Sequence, residues 1–101
     1  MLISALKIMS MAEKDQIDYI KNIFNDENYE NIDEILLEFD DAKFLIDNYS
    51  SNPKVENMFE ELEKILDKIE QEHLFSIKNL NEPLWNKARI KAKKILDTIQ
   101  W

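Results

Sequence analysis

The 101-residue chain contains no glycine, the one residue that enters left-handed backbone without steric cost. Loops that cradle phosphate on backbone amides depend on that freedom, so the nucleotide-binding folds built on glycine-rich turns are excluded. Any left-handed position that ends a helix must fall to another residue, and asparagine is the best suited. Cysteine is absent as well, which removes disulfide staples, thiolate zinc sites and cysteine nucleophiles. With 45% apolar and 34% charged residues the chain reads as a soluble globule, neither a membrane span nor a disordered polymer. At 12.1 kDa it is one domain, residues 1–101, with a single small core.

Charge is unevenly placed. The net charge is −8, yet residues 26–72 hold 16 acidic and 4 basic side chains, while residues 84–101 hold five basic side chains and only Asp97. A field of that sign repels nucleic-acid phosphates and attracts basic protein surfaces. The same charge also serves solubility, and the basic last segment can simply neutralise acidic neighbours. Residues 1–11 are apolar-rich but carry Lys7 and no basic start, too short and interrupted for a secretory leader or a span, so a cytoplasmic location is expected. Met9 and Met11 are alternative start positions, in which case residues 1–10 are a dispensable extension. Twelve lysines against one arginine, with 14 isoleucines and 10 asparagines, point to an AT-rich coding source such as a low-GC bacterium or its phage.

Periodicity, punctuated by Ser, Asn and Pro, predicts four helices and no strand. The first opens with a capping box, Ser10 as N-cap and Glu13 three residues on, and carries Ile17, Ile20, Ile23 and Phe24. Asn31 and Glu34 repeat the pattern and open a second helix to about Tyr49, with Ile32, Ile35, Leu36, Phe39, Ala42, Ile46 and Tyr49 on one side, ended by Ser50, Ser51 and Asn52. Pro53 starts a third, with Val55, Met58, Phe59, Leu62, Ile65, Leu66 and Ile69 at helical spacing, and it runs on toward Asn79 if the stripe continues through His73 and Ile77. Pro83 starts the fourth, bearing Leu84, Trp85, Ala88, Ala92, Ile95, Leu96 and Ile99 and reaching Trp101. Short connections favour an all-α, antiparallel four-helix bundle, with room for a short extra N-terminal helix at Leu2, Leu6 and Met9. An irregular helical array is the alternative, because crossing angles are not written in one sequence.

The second helix carries the most informative constellation. At about 100° per residue Leu37 and Phe44 point the same way, opposite the main apolar stripe. Asp33, Asp40, Asp41 and Asn48 surround them, giving two apolar anchors in an acidic rim, the composition of a protein-binding patch. The alternative is that this helix is sandwiched, with Leu37 and Phe44 packing on the N-terminal segment or on a second copy. On the fourth helix Ile90 and Trp101 lie away from the buried side beside Lys87 and Lys94. Glu70 and His73 have the Glu-x-x-His spacing of di-metal bundles, but one such motif is half a site, and a histidine supporting a helix end is the simpler role. Asp26, Asn28 and Glu30 imitate a calcium loop that fails at Asn31 and Leu37. Five serines and one histidine occur without an elbow or oxyanion-hole sequence. Glu60, Glu61, Glu63 and Asp67 superficially resemble one half of the paired acidic motifs of all-helical nucleotide pyrophosphohydrolases of the MazG kind. Glu30, Asp33 and Glu34 would have to face them across the bundle. Helix pairs such as Glu60 with Lys64 explain the same carboxylates.

The expected function is that of a small acidic inhibitor covering a basic, nucleic-acid-handling site on a target such as a nuclease, toxin or nucleic-acid effector, as toxin-immunity, antitoxin and anti-defence proteins do. The contact residues expected are Asp33, Leu37, Asp40, Asp41 and Phe44, supported by Glu60 and Glu61. No catalytic residue, metal or cofactor is assigned, no direct nucleic-acid or membrane contact is expected, and the chain is read as a monomer or homodimer. The competing readings are a metal-dependent all-α nucleotide hydrolase and a structural homo-oligomeric subunit.

Overall fold

The computed structural model describes residues 1–49 and 52–99; Ser50, Ser51 and Trp101, to which the sequence reading gave roles, lie outside the described residues. The described residues form an all-α helical bundle of five helices: α1 Leu2–Ser10, α2 Glu13–Phe24, α3 Asp33–Ala42, α4 Pro53–Gln71 and α5 Pro83–Ile99. Two 3₁₀ segments interrupt them, Lys43–Asn48 after α3 and Ile77–Asn81 before α5. The described residues form no strand, only one isolated antiparallel bridge between Asn31 and Ser76.

The N-terminal segment is a core element. Leu2, Ala5, Leu6 and Met9 recur at i, i+3, i+4 and i+7, which puts them on one side of α1, and all four are buried. That side packs on both α5 and α3, while α4 packs on α5. The buried face of α5 includes Ala88 and Ala92, whose small side chains leave room for close helix approach. Trp85, fully buried at the start of α5, donates its indole N–H to the Leu74 carbonyl at 2.9 Å.

Helix ends depart from the expected capping in informative ways. Ser10 is no N-cap: it is the last residue of α1, and its hydroxyl donates to the Lys7 carbonyl at 2.9 Å. α2 instead starts at Glu13 with no side-chain cap. The last carbonyls of α1, withdrawn from solvent, are met by Gln16, fully buried, whose amide N–H₂ donates to Ile8 and Met9 at 3.2 and 3.0 Å. Gln16 Oε1 in turn accepts from Arg89, the only arginine, whose other terminal nitrogen donates to the Leu80 carbonyl. One network thus ties α1, α2, the second 3₁₀ segment and α5. Burial lowers the Arg89 pKa, while nearby Glu13 opposes that shift.

Two helices end in left-handed residues that are not glycine. Asn25 at φ 49° ends α2, as expected of asparagine. His73 at φ 55° follows α4, where Leu74 N–H bonds to the Ile69 carbonyl and His73 N–H to the Glu70 carbonyl. This pair of bonds is a Schellman motif, and it stops α4 at Gln71 rather than near Asn79. His73 therefore supports the helix end through its backbone. The loops after α2 and α4 are then pinned together, Ile32 N–H to Phe75 O at 2.7 Å and Ile77 N–H to Glu30 O at 2.8 Å.

The second predicted helix also ends early. Its α-helical part stops at Ala42, with acidic Asp40 and Asp41 and no basic residue in the last turn, an unfavourable match to the negative end of the helix dipole. The chain continues as the tighter 3₁₀ segment, closed by Tyr49 N–H on Ile46 O at 2.9 Å. Ile23 and Phe24 leave the expected stripe of α2: only Ile20 of that stripe is fully buried, and Phe24 stacks on Tyr29 of the following loop with ring centroids 4.0 Å apart.

Candidate functional site: an acidic ridge on α3

α3 buries Ile35, Leu36, Phe39 and Ala42, which fixes the opposite side toward solvent. Leu37 on that side is 46% exposed, and Phe44, just beyond in the 3₁₀ segment, is 69% exposed. Asp40 and Asp41 are exposed beside them, and Asp33 is half-buried at the helix start. Asp33 and Asp41 form no ion pair among the described residues, whereas Asp40 meets Lys43 at 3.0 Å, one turn on. The ridge therefore presents two large apolar side chains and a net negative charge that the chain itself leaves largely uncompensated.

A furrow runs along each flank. Toward α4, a groove of about 330 Å³ is lined by Leu36, Phe39, Asp40, Lys43, Glu63, Leu66, Asp67 and Glu70. Lys43 sits among these carboxylates: its hydrogen bond and charge contact with Asp40, reinforced by Glu63 and Asp67, hold its ammonium above the ordinary range. It shows how a cationic side chain is held in this furrow. Toward α1, a groove of about 400 Å³ is lined by Met1, Ser4, Ala5, Ile8, Glu38 and Asp41. Here the Tyr19 hydroxyl of α2 donates to Glu38 Oε1 at 2.5 Å, and Glu38 Oε2 is shielded from solvent with no hydrogen-bond partner. Desolvation and the charge of Glu38 drive the Tyr19 pKa well up. Glu34 is raised too, by desolvation and then by repulsion from Glu38, Asp41 and Asp33. Like charges on this ridge repel one another, a strain that an approaching cationic surface relieves.

The two α4 acids expected to support the ridge lie elsewhere. Glu61 pairs with Lys91 of α5 at 2.5 Å, which holds its carboxyl below the usual range, and Glu60 is exposed outside the residues lining the furrow. Their place beside α3 is taken by Glu63, Asp67 and Glu70. The signal for these was in the sequence: at i, i+4 and i+7 they lie along one edge of the buried Leu62, Leu66 and Ile69 stripe. Among the described residues no group of three or more acidic or histidine side chains converges closely enough to hold a metal ion. Of the α3 and α4 carboxylates, Asp40, Glu63, Asp67 and Glu70 line one furrow and Glu38 and Asp41 the other. No described helix is long and apolar enough to cross a membrane.

Comparison with protein-family models, curated proteins and solved structures finds no match to this chain.

Proposed function

We propose that the chain is a small acidic binding protein that lays its α3 ridge over a basic, nucleic-acid-handling site on a protein target, in the manner of an immunity, antitoxin or anti-defence protein. The observation that carries this reading is the exposure of Phe44 and Leu37 on a ridge whose carboxylates are mostly unpaired. Exposed apolar anchors ringed by one sign of charge are what a steered, then desolvated, contact requires: the charges speed encounter and the apolar centre slows dissociation. Carboxylates spaced along the two furrows stand where phosphates of a nucleic acid would otherwise meet lysines and arginines of the target. The chain would act by occupation of that surface, in the cytoplasm.

The test is capture by the tagged protein from extract at low and at high salt, followed by assay of whatever is retained. The expected result is one basic protein, released by salt, whose nuclease or nucleic-acid-binding activity falls as this chain is added in equimolar amount. Recovery of a partner whose activity is unaffected, or of one that binds equally well in high salt, would contradict the reading.

A further inference from the structure

The molecule carries a second exposed stripe, of opposite sign. On α5, Lys87, Ile90 and Lys94 follow one another at i, i+3 and i+7 on the side away from the buried Trp85, Ala88, Ala92 and Ile95. Ile90 is 49% exposed, close to the 46% of Leu37 on α3. Lys87, Lys93 and Lys94 form no ion pair among the described residues. The other two cations of α5 are engaged: Arg89 with Gln16 and the Leu80 carbonyl, Lys91 with Glu61. Asp97 is the one acid on this helix.

The two stripes are therefore chemical counterparts, each an apolar residue among charges of one sign. They remain apart within one chain, because α1 packs between α3 and α5 and both Leu37 and Ile90 stay open to solvent. We propose that a second copy of this chain is the occupant of the α5 stripe: the α3 ridge of one copy lies on Lys87, Ile90 and Lys94 of the next. The contact joins unlike surfaces, so it is heterologous and propagates head to tail rather than closing as a two-fold dimer. It rests on the reading of α3 as a binding face, and it covers the same ridge, so copies and target compete for it. A single helix-on-helix contact is below the size of a standard interface, which makes the association weak. The net charge of −8 per copy opposes it at long range, whereas at 0.1 M salt a Debye length of about 10 Å screens that repulsion and spares the contacting pairs.

Sedimentation equilibrium at about 0.1 M salt, over protein concentrations from roughly 10 μM to 1 mM, reads the effect in the range set by a small interface. The weight-average mass is expected to rise above 12.1 kDa with concentration and to fall back toward it at about 1 M salt, where the Debye length is about 3 Å. Two neutralised variants define the geometry: Leu37→Ser with Asp41→Asn on α3, and Ile90→Ser with Lys94→Gln on α5. All four positions are exposed, and circular dichroism melts verify folding. Each variant alone is expected to be monomeric, and an equimolar mixture is expected to form a pair that grows no further. A wild-type chain that stays monomeric at the highest concentration overturns the inference, as does a mixture that fails to pair. The α5 variant retains capture of the basic target if both readings hold, and a monomeric wild type that still captures target overturns self-association alone.

Discussion

Tyr19 and His73 show how single residues carry the consequences of this composition. The Tyr19 hydroxyl is held against a carboxylate, so its deprotonation in the folded chain is deferred beyond that of an ordinary phenol. With the folded pKa raised above the unfolded value of 10.0, stability is fully present below pH 10 and is lost as pH rises beyond it. Absorbance titration at 295 nm should show the Tyr19 phenol ionising only together with alkaline unfolding, and in Tyr19→Phe that late fraction disappears. His73 occupies left-handed backbone that costs a non-glycine residue about 1–2 kcal/mol. Because its side chain is exposed, His73→Gly is expected to stabilise the fold by about 0.5–1 kcal/mol, a rise of several degrees in Tm. Asn25 was legible as a helix stop because asparagine tolerates such backbone, whereas nothing about a lone histidine marks it as one. Outward-facing Leu37 was legible by angle alone, since burial of Ile35, Leu36 and Phe39 leaves it nowhere else to point; Phe44 is exposed as well, although it lies in the 3₁₀ segment where the α-helical angle does not hold.

Among the elements, α1 matters most for what the chain can lose. A short apolar segment reads the same whether it is an extension or a core helix, and only its packing on α3 and α5 distinguishes the two. Four of its side chains are buried, and large buried apolar side chains contribute roughly 1.5–3 kcal/mol each, so a chain started at Met11 is expected to lose cooperative thermal unfolding by circular dichroism. The join between α1 and α2 was misread for a related reason. Ser10 and Glu13 have the spacing of a capping box, yet the hydroxyl satisfies a carbonyl of its own helix, and the capping work passes to Gln16. A glutamine on an otherwise polar helix carries no mark of full burial. Gln16→Ala would strand the Met9 carbonyl, leave the Ile8 carbonyl with Met11 N–H alone and take from Arg89 one of its two acceptors, so a loss of about 2–3 kcal/mol in denaturant unfolding is expected. Helix α4 begins where Pro53 places it, because that signal acts locally, whereas Asn52, read from the sequence as ending the preceding helix, is its N-cap and accepts from Lys54 N–H at 2.8 Å.

At the scale of the whole molecule, α1 packs on both α3, which carries the acidic ridge, and α5, which carries the basic stripe. The charge asymmetry was plain in the sequence, but which acids would gather was not. Glu61 was drawn to α5 by Lys91, and Glu63, Asp67 and Glu70 came to border α3, a division set by how α4 rotates against its two neighbours. The central claim is that the ridge exists for contact and contributes little to folding. The most direct measurement is paired: capture of the basic partner and thermal stability, in the wild type and in Phe44→Ala with Asp41→Lys. Exposed positions away from the core change stability by no more than about 0.5 kcal/mol, so capture should be abolished with Tm nearly unchanged. A large fall in Tm, or capture that survives both substitutions, would contradict the account.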